Sequence, residues 1–129
     1  MRLLLDTSVL VAIARDETET LPARIAATIG SELNECYASA ASLWEIAIKT
    51  RLGKLDPRLP LADLPDHFAE VRLKVLIIDY HHAIASLASE PNTRDPFDRL
   101  LLAQCQVEGL RLVTEDRALV SHPLAWPEA

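Results

Sequence analysis

The stretch that decides the fold is RLLLDTSVLVAIAR, residues 2–15. Residues 2–5 form an apolar run of strand length, and residues 8–15 repeat their apolar positions with the period of a helix. Between them stand one acid, Asp6, and one threonine, Thr7. A strand that passes through a short polar corner into a helix predicts the first half of a βαβ unit.

The same alternation continues along the chain. Further runs of strand length are CYASA (36–40), KVLIID (74–79), RLVT (111–114) and, more weakly, PLAW (123–126). Segments of helical period lie between them, at SLWEIAIKTRL (42–52), HHAIASLAS (81–89) and FDRLLLAQCQVE (97–108). The proline cluster at 55–68 indicates a connection between helices. Strands that alternate with helices predict an α/β fold with a parallel sheet covered on both faces.

Two of these helices carry end signals. Ser42 followed by Glu45 has the spacing of a capping box, and Gly53 is placed to end that helix. Asp95 precedes Pro96, which favours the first helical position and keeps Asp95 in the extended conformation that an N-cap requires. Asp98 then falls in the first turn of its helix, and Gly109 ends it.

Composition predicts a compact single domain covering residues 1–129. Half of the residues are hydrophobic, a quarter are charged and three are glycine. The N-terminus reaches Asp6 before a signal peptide could form, and no run approaches the length of a membrane span, so we expect a cytoplasmic protein without a membrane partner. Cys36 and Cys105 have no CxxC companion, which predicts buried thiols in a reducing compartment.

A formal net charge of −6 argues against nucleic-acid binding through bulk electrostatics. It does not exclude a metal-dependent nuclease, because bound divalent ions would set the local potential toward a phosphate. In a parallel sheet, strand carboxyl ends and the starts of the following helices lie at one edge. Asp6, Glu45, Asp98 and Asp116 all map to that edge. Each acid has an ordinary explanation as a cap or loop residue, but these do not predict four acids at one edge with hardly any basic residue beside them.

Carboxylates packed together repel one another unless a proton or a cation neutralises them. The sequence supplies no histidine or cysteine at this edge, so the hard oxygen ligands favour Mg²⁺ or Mn²⁺ over zinc. Such ions activate water and stabilise displacement at phosphorus, which is the chemistry of a nuclease.

Four blocks resemble, in order and spacing, those of PIN-domain ribonucleases, and in particular VapC-type toxins of bacterial toxin–antitoxin pairs. They are LLLDTSVLVA (3–12), ASAASLWEIAIKTRLGKL (38–55), RDPFDRLLLAQ (94–104) and LVTEDRAL (112–119). The resemblance implies a three-layer α/β/α sandwich with a central parallel sheet of about five strands. It also implies RNA cleavage that depends on Mg²⁺ or Mn²⁺, a cognate antitoxin that blocks the site, and a homodimer.

Residue by residue, the resemblance implies an acidic quartet of Asp6, Glu45, Asp98 and Asp116. Asp6, Asp98 and Asp116 would hold the metal, and Glu45 would bind metal or orient water. Thr7 and Thr114 match the hydroxyl residues that stand beside these acids in the family, with helix capping or a hydrogen bond to a carboxylate as the ordinary alternative. The chain departs from its relatives at Thr93, where they often have histidine, and at Glu115, an added acid that we expect to be solvated.

Two other functions remain open from the residues. A phosphorelay receiver would use Asp79 as its phosphorylated acid, but residues 3–8 offer one carboxylate where a receiver needs two, and no lysine follows Lys74. An interaction module would use the acidic edge to bind a basic partner without chemistry. Arg94 and Arg99 are placed either for an RNA phosphate or for salt bridges, and most of the residues around Trp44 are expected in the core, with an antitoxin surface as the alternative.

Overall fold

In the computed structural model, residues 1–126 are described, and they form five strands and six α-helices. The strands are β1 (Arg2–Leu5), β2 (Glu35–Ser39), β3 (Lys74–Leu76), β4 (Arg111–Val113) and β5 (Ala125–Trp126). The helices are α1 (Thr7–Ala14), α2 (Ala23–Gly30), α3 (Ala40–Arg51), α4 (Leu64–Glu70), α5 (Tyr80–Ile84) and α6 (Pro96–Glu108). None of the helices in this range has the length and apolar character needed to cross a membrane.

The five strands form one parallel sheet in the order β3-β2-β1-β4-β5. From β1 the chain adds β2 and β3 on one side and later returns to place β4 and β5 on the other side. The strand order therefore switches direction between β1 and β4, and a crevice forms at the carboxyl ends of strands where such a switch occurs.

The leucines of β1 explain why helices cover both faces of the sheet. Leu3, Leu4 and Leu5 are all fully buried, although successive side chains on a strand point to opposite faces. Leu3 and Leu5 belong to a core that includes side chains of α1, α2 and α4, whereas Leu4 packs with side chains of α6. Complete burial of each leucine contributes about 1.5–3 kcal/mol. The predicted α/β/α sandwich around a parallel sheet is confirmed.

Both cysteines are buried and free, as predicted. Cys36 lies in the core on one face of the sheet and Cys105 in the core on the other. Burial raises the pKa of the Cys105 thiol to about 12. The thiol therefore stays protonated and unreactive at neutral pH.

Three predicted segments differ in extent from the structure, because the sequence signals for where they begin and end are weak. The connection at 55–68 contains a short 3₁₀ turn, Leu61–Asp63, and the beginning of α4, with Pro65 in the first helical turn where proline is tolerated. The helix predicted over 81–89 covers only Tyr80–Ile84. The strand predicted over 74–79 ends at Leu76, at the edge of the sheet.

Candidate active site

A crevice of about 480 Å³ opens at the carboxyl edge of the sheet, beside the switch between β1 and β4. All four acids of the predicted quartet line it. Together with two further acids and one lysine, the ionisable groups are Asp6, Glu45, Asp95, Asp98, Glu115, Asp116 and Lys49. Because six carboxylates face one ammonium, the electrostatic potential in this crevice is strongly negative.

Asp6 lies at the end of β1 and caps α1. Its Oδ1 accepts a hydrogen bond from the Thr7 N–H at 2.8 Å, and its backbone is extended as an N-cap requires. Its Oδ2 accepts from the Thr114 hydroxyl at 2.7 Å. The side chain is buried, and this burial raises the pKa of the Asp6 carboxyl, whereas the two hydrogen bonds oppose the shift. Asp6 is thus held in one orientation by its neighbours.

Thr114 connects Asp6 to Asp116. It follows β4, is buried, and accepts the Asp116 backbone N–H on the same hydroxyl that donates to Asp6. The Asp116 carboxylate in turn accepts the Ala118 N–H at 2.9 Å and remains exposed in the crevice. One threonine side chain therefore sets the relative position of two acids from adjacent strands.

Glu45 is not a capping residue, and the predicted capping box is wrong. Helix α3 begins at Ala40, and Ser39 is its N-cap, accepting the Ala41 N–H at 3.0 Å. Ser42 lies inside the helix and is fully buried. The helix begins earlier because β2 runs into it without a loop. Glu45 therefore lies in the second turn, where satisfaction of backbone N–H groups does not explain its presence.

Both oxygens of the Glu45 carboxylate accept hydrogen bonds, and the residue is buried, with 7% of its surface exposed. The Thr7 hydroxyl donates to Oε1 at 2.8 Å, and the Lys49 ammonium donates to Oε2 at 2.6 Å. Thr7 also shares a 2.8 Å hydrogen bond with Ser42. Since a hydroxyl has one proton and Thr7 gives its proton to the carboxylate, Ser42 is the donor in that bond. Both oxygens of the buried glutamate therefore have partners, which fix its carboxylate at the wall of the crevice.

Asp98 is placed as the sequence predicts, in the first turn of α6. Asp95 caps the helix by accepting the Phe97 N–H at 2.8 Å, Pro96 occupies the first position, and Gly109 ends it with φ +69°. Burial, followed by repulsion from Asp95, Asp6, Asp116 and Glu45, raises the pKa of the Asp98 carboxyl to about 7. The group lacks a strong donor, because the Thr93 hydroxyl lies 3.4 Å away.

Helices α3 and α6 bring Glu45 and Asp98 to the same crevice, and a buried hydrogen bond joins them. Gln104 of α6 is fully buried and accepts the hydroxyl proton of Ser39, the α3 cap. Its amide nitrogen donates to the Ile77 carbonyl at 3.2 Å. Gln104 was not among the predicted site residues, although a polar residue on the apolar face of a helix is a usable signal.

Lys49 was also missed, although a single base among the residues that line the crevice in the described range agrees with the expectation that hardly any basic residue accompanies the acids. It stands one helical turn after Glu45, and its side chain is 45% exposed. The spacing of four residues between Glu45 and Lys49 is the signal that could have found it. The other predicted bases do not line the crevice: Arg99 pairs with Glu90 at 2.6 Å, and Arg94 is exposed.

The sequence profile of the PIN domain matches residues 3–123. The chain belongs to the PIN-domain family. A curated protein named Ribonuclease VapC16, from Mycobacterium tuberculosis, is 44% identical over 62 residues. This match covers 46% of the present chain and 44% of the length of that protein. The single domain predicted over residues 1–129 stays a prediction, and its last three residues lie outside the described part.

The donor set of this PIN domain fits a hard divalent cation. Carboxylate oxygens are the ligands that Mg²⁺ and Mn²⁺ prefer, and six of the residues that line the crevice carry a carboxylate, against one lysine. Among residues 1–126, no three of the crevice acids have oxygens that all lie within 4.8 Å of one another. Mg²⁺ usually keeps several waters and is bound by one or two carboxylates, so an open arrangement suits it.

A second group of possible ligands lies away from the crevice of the PIN domain and has a structural explanation. Asp79, His82 and Glu108 have ligand atoms within 4.8 Å of one another. His82 Nδ1 accepts the Asp79 N–H at 3.0 Å, and Nε2 lies 3.1 Å from Glu108. Asp79 caps α5, and both ring nitrogens of His82 already have partners. The match to the PIN profile over residues 3–123 argues against a receiver function.

The residues around Trp44 divide between core and surface. Ile46 is fully buried, as expected for the core. Trp44 is 59% exposed and makes an edge-on contact with Phe97, with ring centroids 5.6 Å apart. This contact joins the outer sides of α3 and α6, next to the residues that carry the acids.

Thr93, where relatives often have histidine, accepts the Asp95 N–H and supports the start of α6.

Proposed function

We propose that the chain is a metal-dependent endoribonuclease that acts as the toxin of a toxin–antitoxin pair. The observation that carries the proposal is the convergence of Asp6, Glu45, Asp98 and Asp116 on one crevice from four separate segments. Membership in the PIN family and the similarity to a protein named Ribonuclease VapC16 support RNA as the substrate.

In this proposal Asp6, Asp98 and Asp116 hold a Mg²⁺ or Mn²⁺ ion, one or two of them directly and the rest through water molecules that the ion keeps. Such an ion, when bound, makes water a better nucleophile and stabilises the charge that develops on the phosphate. Asp6 is suited to the role because Thr114 and the start of α1 hold its carboxylate in place. Asp98 is suited because burial, together with repulsion from the neighbouring acids, raises the pKa of its carboxyl, and a bound cation would offset both effects.

Glu45 has a different role in the proposal. The Thr7 hydroxyl fixes one oxygen of its carboxylate, and burial restricts the rest of the side chain. An acid fixed in this way can orient the attacking water or accept its proton, since a general base must be held within hydrogen-bond reach of its target. Thr7 and Thr114 then act through Glu45 and Asp6, respectively.

The same crevice also supports a competing function, an acidic surface that binds a basic partner without catalysis. An arginine inserted among these carboxylates would make charge-assisted hydrogen bonds like those of an inhibiting antitoxin. The two functions differ in their need for a divalent cation. A cognate antitoxin and a homodimer remain predictions of the resemblance, and a cytoplasmic location remains a prediction from the sequence pattern.

The direct test is cleavage of RNA by purified protein that has been freed of copurifying proteins. We expect cleavage with Mg²⁺ or Mn²⁺, complete loss with EDTA, and recovery when the metal is restored, because the carboxylates alone repel a phosphate. Gel electrophoresis of a mixed RNA substrate is the measurement. Cleavage that persists in EDTA would contradict the metal requirement, and no cleavage with either metal would favour the non-catalytic function.

A further inference from the structure

Lys49 is the single basic residue among those that line the crevice in the described range. Its ammonium lies 2.6 Å from Glu45 Oε2, and the acids Asp95 and Asp98 add to the field that favours its charge. The glutamate is nearly buried, whereas the lysine side chain is 45% exposed. The ammonium therefore lies at the boundary between the buried acid and the open crevice.

This position gives Lys49 two possible partners. In the absence of a divalent ion, its charge offsets part of the repulsion among the six carboxylates of the crevice. When a divalent ion enters, the acids gain a stronger cation, and the hold on the lysine weakens. A lysine has a flexible four-carbon stem and three rotatable donors, so its ammonium can move to a nearby anion without movement of the helix.

We propose that Lys49 is the phosphate-binding residue of the crevice, released from Glu45 when a divalent ion enters and then bound to a phosphate oxygen of the RNA. The inference rests on the proposed nuclease function and assigns to it a cationic contact beyond the metal. The chain has a net charge of −6, so a nucleic-acid ligand must find local positive charge at the site. Lys49 supplies that charge from a fixed helix.

A purely structural ion pair makes a different prediction. If Lys49 only held Glu45 in place, its removal would disturb the site and weaken metal and RNA binding together. If it acts as proposed, its removal affects the two ligands in opposite directions. Metal binding strengthens because a competing positive charge is gone, and RNA binding weakens because a phosphate contact is lost.

The test compares Lys49→Gln, Lys49→Arg and wild-type protein, with Lys54→Gln as the matched control. Lys54 is an exposed lysine just beyond the end of α3 and does not line the crevice. Mn²⁺ affinity is measured by a titration that follows the signal of the unbound Mn²⁺ ion. RNA affinity is measured by fluorescence anisotropy of a short labelled single-stranded RNA with Ca²⁺ in place of Mg²⁺, at several salt concentrations.

For Lys49→Gln we expect Mn²⁺ to bind about threefold more tightly and RNA to bind about tenfold more weakly. The slope of log affinity against log salt should decrease by about 0.7, the value for loss of one phosphate contact on a single strand. Lys49→Arg should keep most of the RNA affinity because it keeps the charge. Lys54→Gln should leave both affinities within about twofold of wild type.

Several outcomes would overturn the assignment. A parallel fall in Mn²⁺ and RNA affinity in Lys49→Gln would show a structural role, and an unchanged salt slope would show that no phosphate contact was lost. Thermal unfolding of each variant is measured alongside, because the loss of Lys49 leaves the nearly buried Glu45 without its cation and can lower the stability of the fold. If wild-type protein binds neither Mn²⁺ nor RNA, the proposed function itself fails, and the role of Lys49 fails with it.

Discussion

Replacement of Asp98 by asparagine is expected to reduce metal-dependent RNA cleavage about a thousandfold, equivalent to about 4 kcal/mol of transition-state stabilisation. Asparagine keeps the shape of the side chain but removes the charge that holds the cation. Because the Thr93 hydroxyl lies as far as 3.4 Å from the carboxylate, little hydrogen bonding is lost. Initial rates at saturating Mg²⁺ provide the measurement.

The same substitution should stabilise the metal-free fold at high pH. The pKa of Asp98 is raised from 3.8 to about 7, so between these values the folded protein binds more protons than the unfolded chain. The free energy of unfolding contributed by this group therefore falls as pH rises from about 4 to about 7. Asp98→Asn removes that fall, and we expect a gain of about 1 kcal/mol at pH 8, where solvent screening keeps the effect modest. Urea denaturation as a function of pH in EDTA measures it.

Asp95→Asn is the matched control for Asp98→Asn. It removes one negative charge three residues earlier, and asparagine is as good an N-cap as aspartate, so α6 should still begin at Pro96. We expect cleavage within about threefold of wild type. Equal losses of activity in the two variants would mean that the total charge of the crevice matters and that Asp98 has no particular role.

Asp6→Asn should reduce cleavage to a similar extent, about a thousandfold, but without the gain in stability that is expected for Asp98→Asn. Here two effects oppose each other. Removing a buried charge is favourable, but Asp6 accepts hydrogen bonds from the Thr7 N–H and from the Thr114 hydroxyl, and an amide offers one acceptor oxygen. A charge-assisted hydrogen bond is worth about 1.5–3 kcal/mol, which offsets the relief of desolvation.

The comparison of Asp6→Asn with Asp98→Asn separates catalysis from folding. Both should lose cleavage, whereas only Asp98→Asn should raise the midpoint of urea unfolding at pH 8. Circular dichroism on each variant checks that the sandwich is intact. Retained cleavage in Asp6→Asn would remove Asp6 from the metal site, and a clear gain in its stability would mean that the Thr114 bond contributes little.

Much of the fold could be predicted because its signals are local. A polar corner between an apolar strand and a helix located Asp6, and the proline after Asp95 located the start of α6. All five predicted strand runs contain strands, and their parallel pairing follows from the alternation with helices. The expectation that the four acids share an edge depended on that topology, and the structure brings all of them to one crevice.

The remaining features depend on contacts between distant segments. A capping box was expected at Ser42, but the helix begins at Ala40 because Ser39 both caps α3 and bonds to Gln104, 65 residues away. The hydrogen bond from the Thr7 hydroxyl to the Glu45 carboxylate joins α1 to α3, between residues that are 38 positions apart in the sequence. Lys49 was missed for a different reason. Its ion pair with Glu45 is local in the sequence, but its place in the crevice follows from the packing of three helices.

The central claim, that the acidic crevice is a divalent metal site, is tested most directly by Mn²⁺ titration of wild type, Asp98→Asn and His82→Gln. We predict saturable binding below millimolar concentration in wild type and in His82→Gln, and loss of that binding in Asp98→Asn. His82→Gln controls for the other group of possible ligands, at Asp79, His82 and Glu108. Absence of binding to wild type at millimolar Mn²⁺, or binding that survives Asp98→Asn and disappears in His82→Gln, would contradict the account.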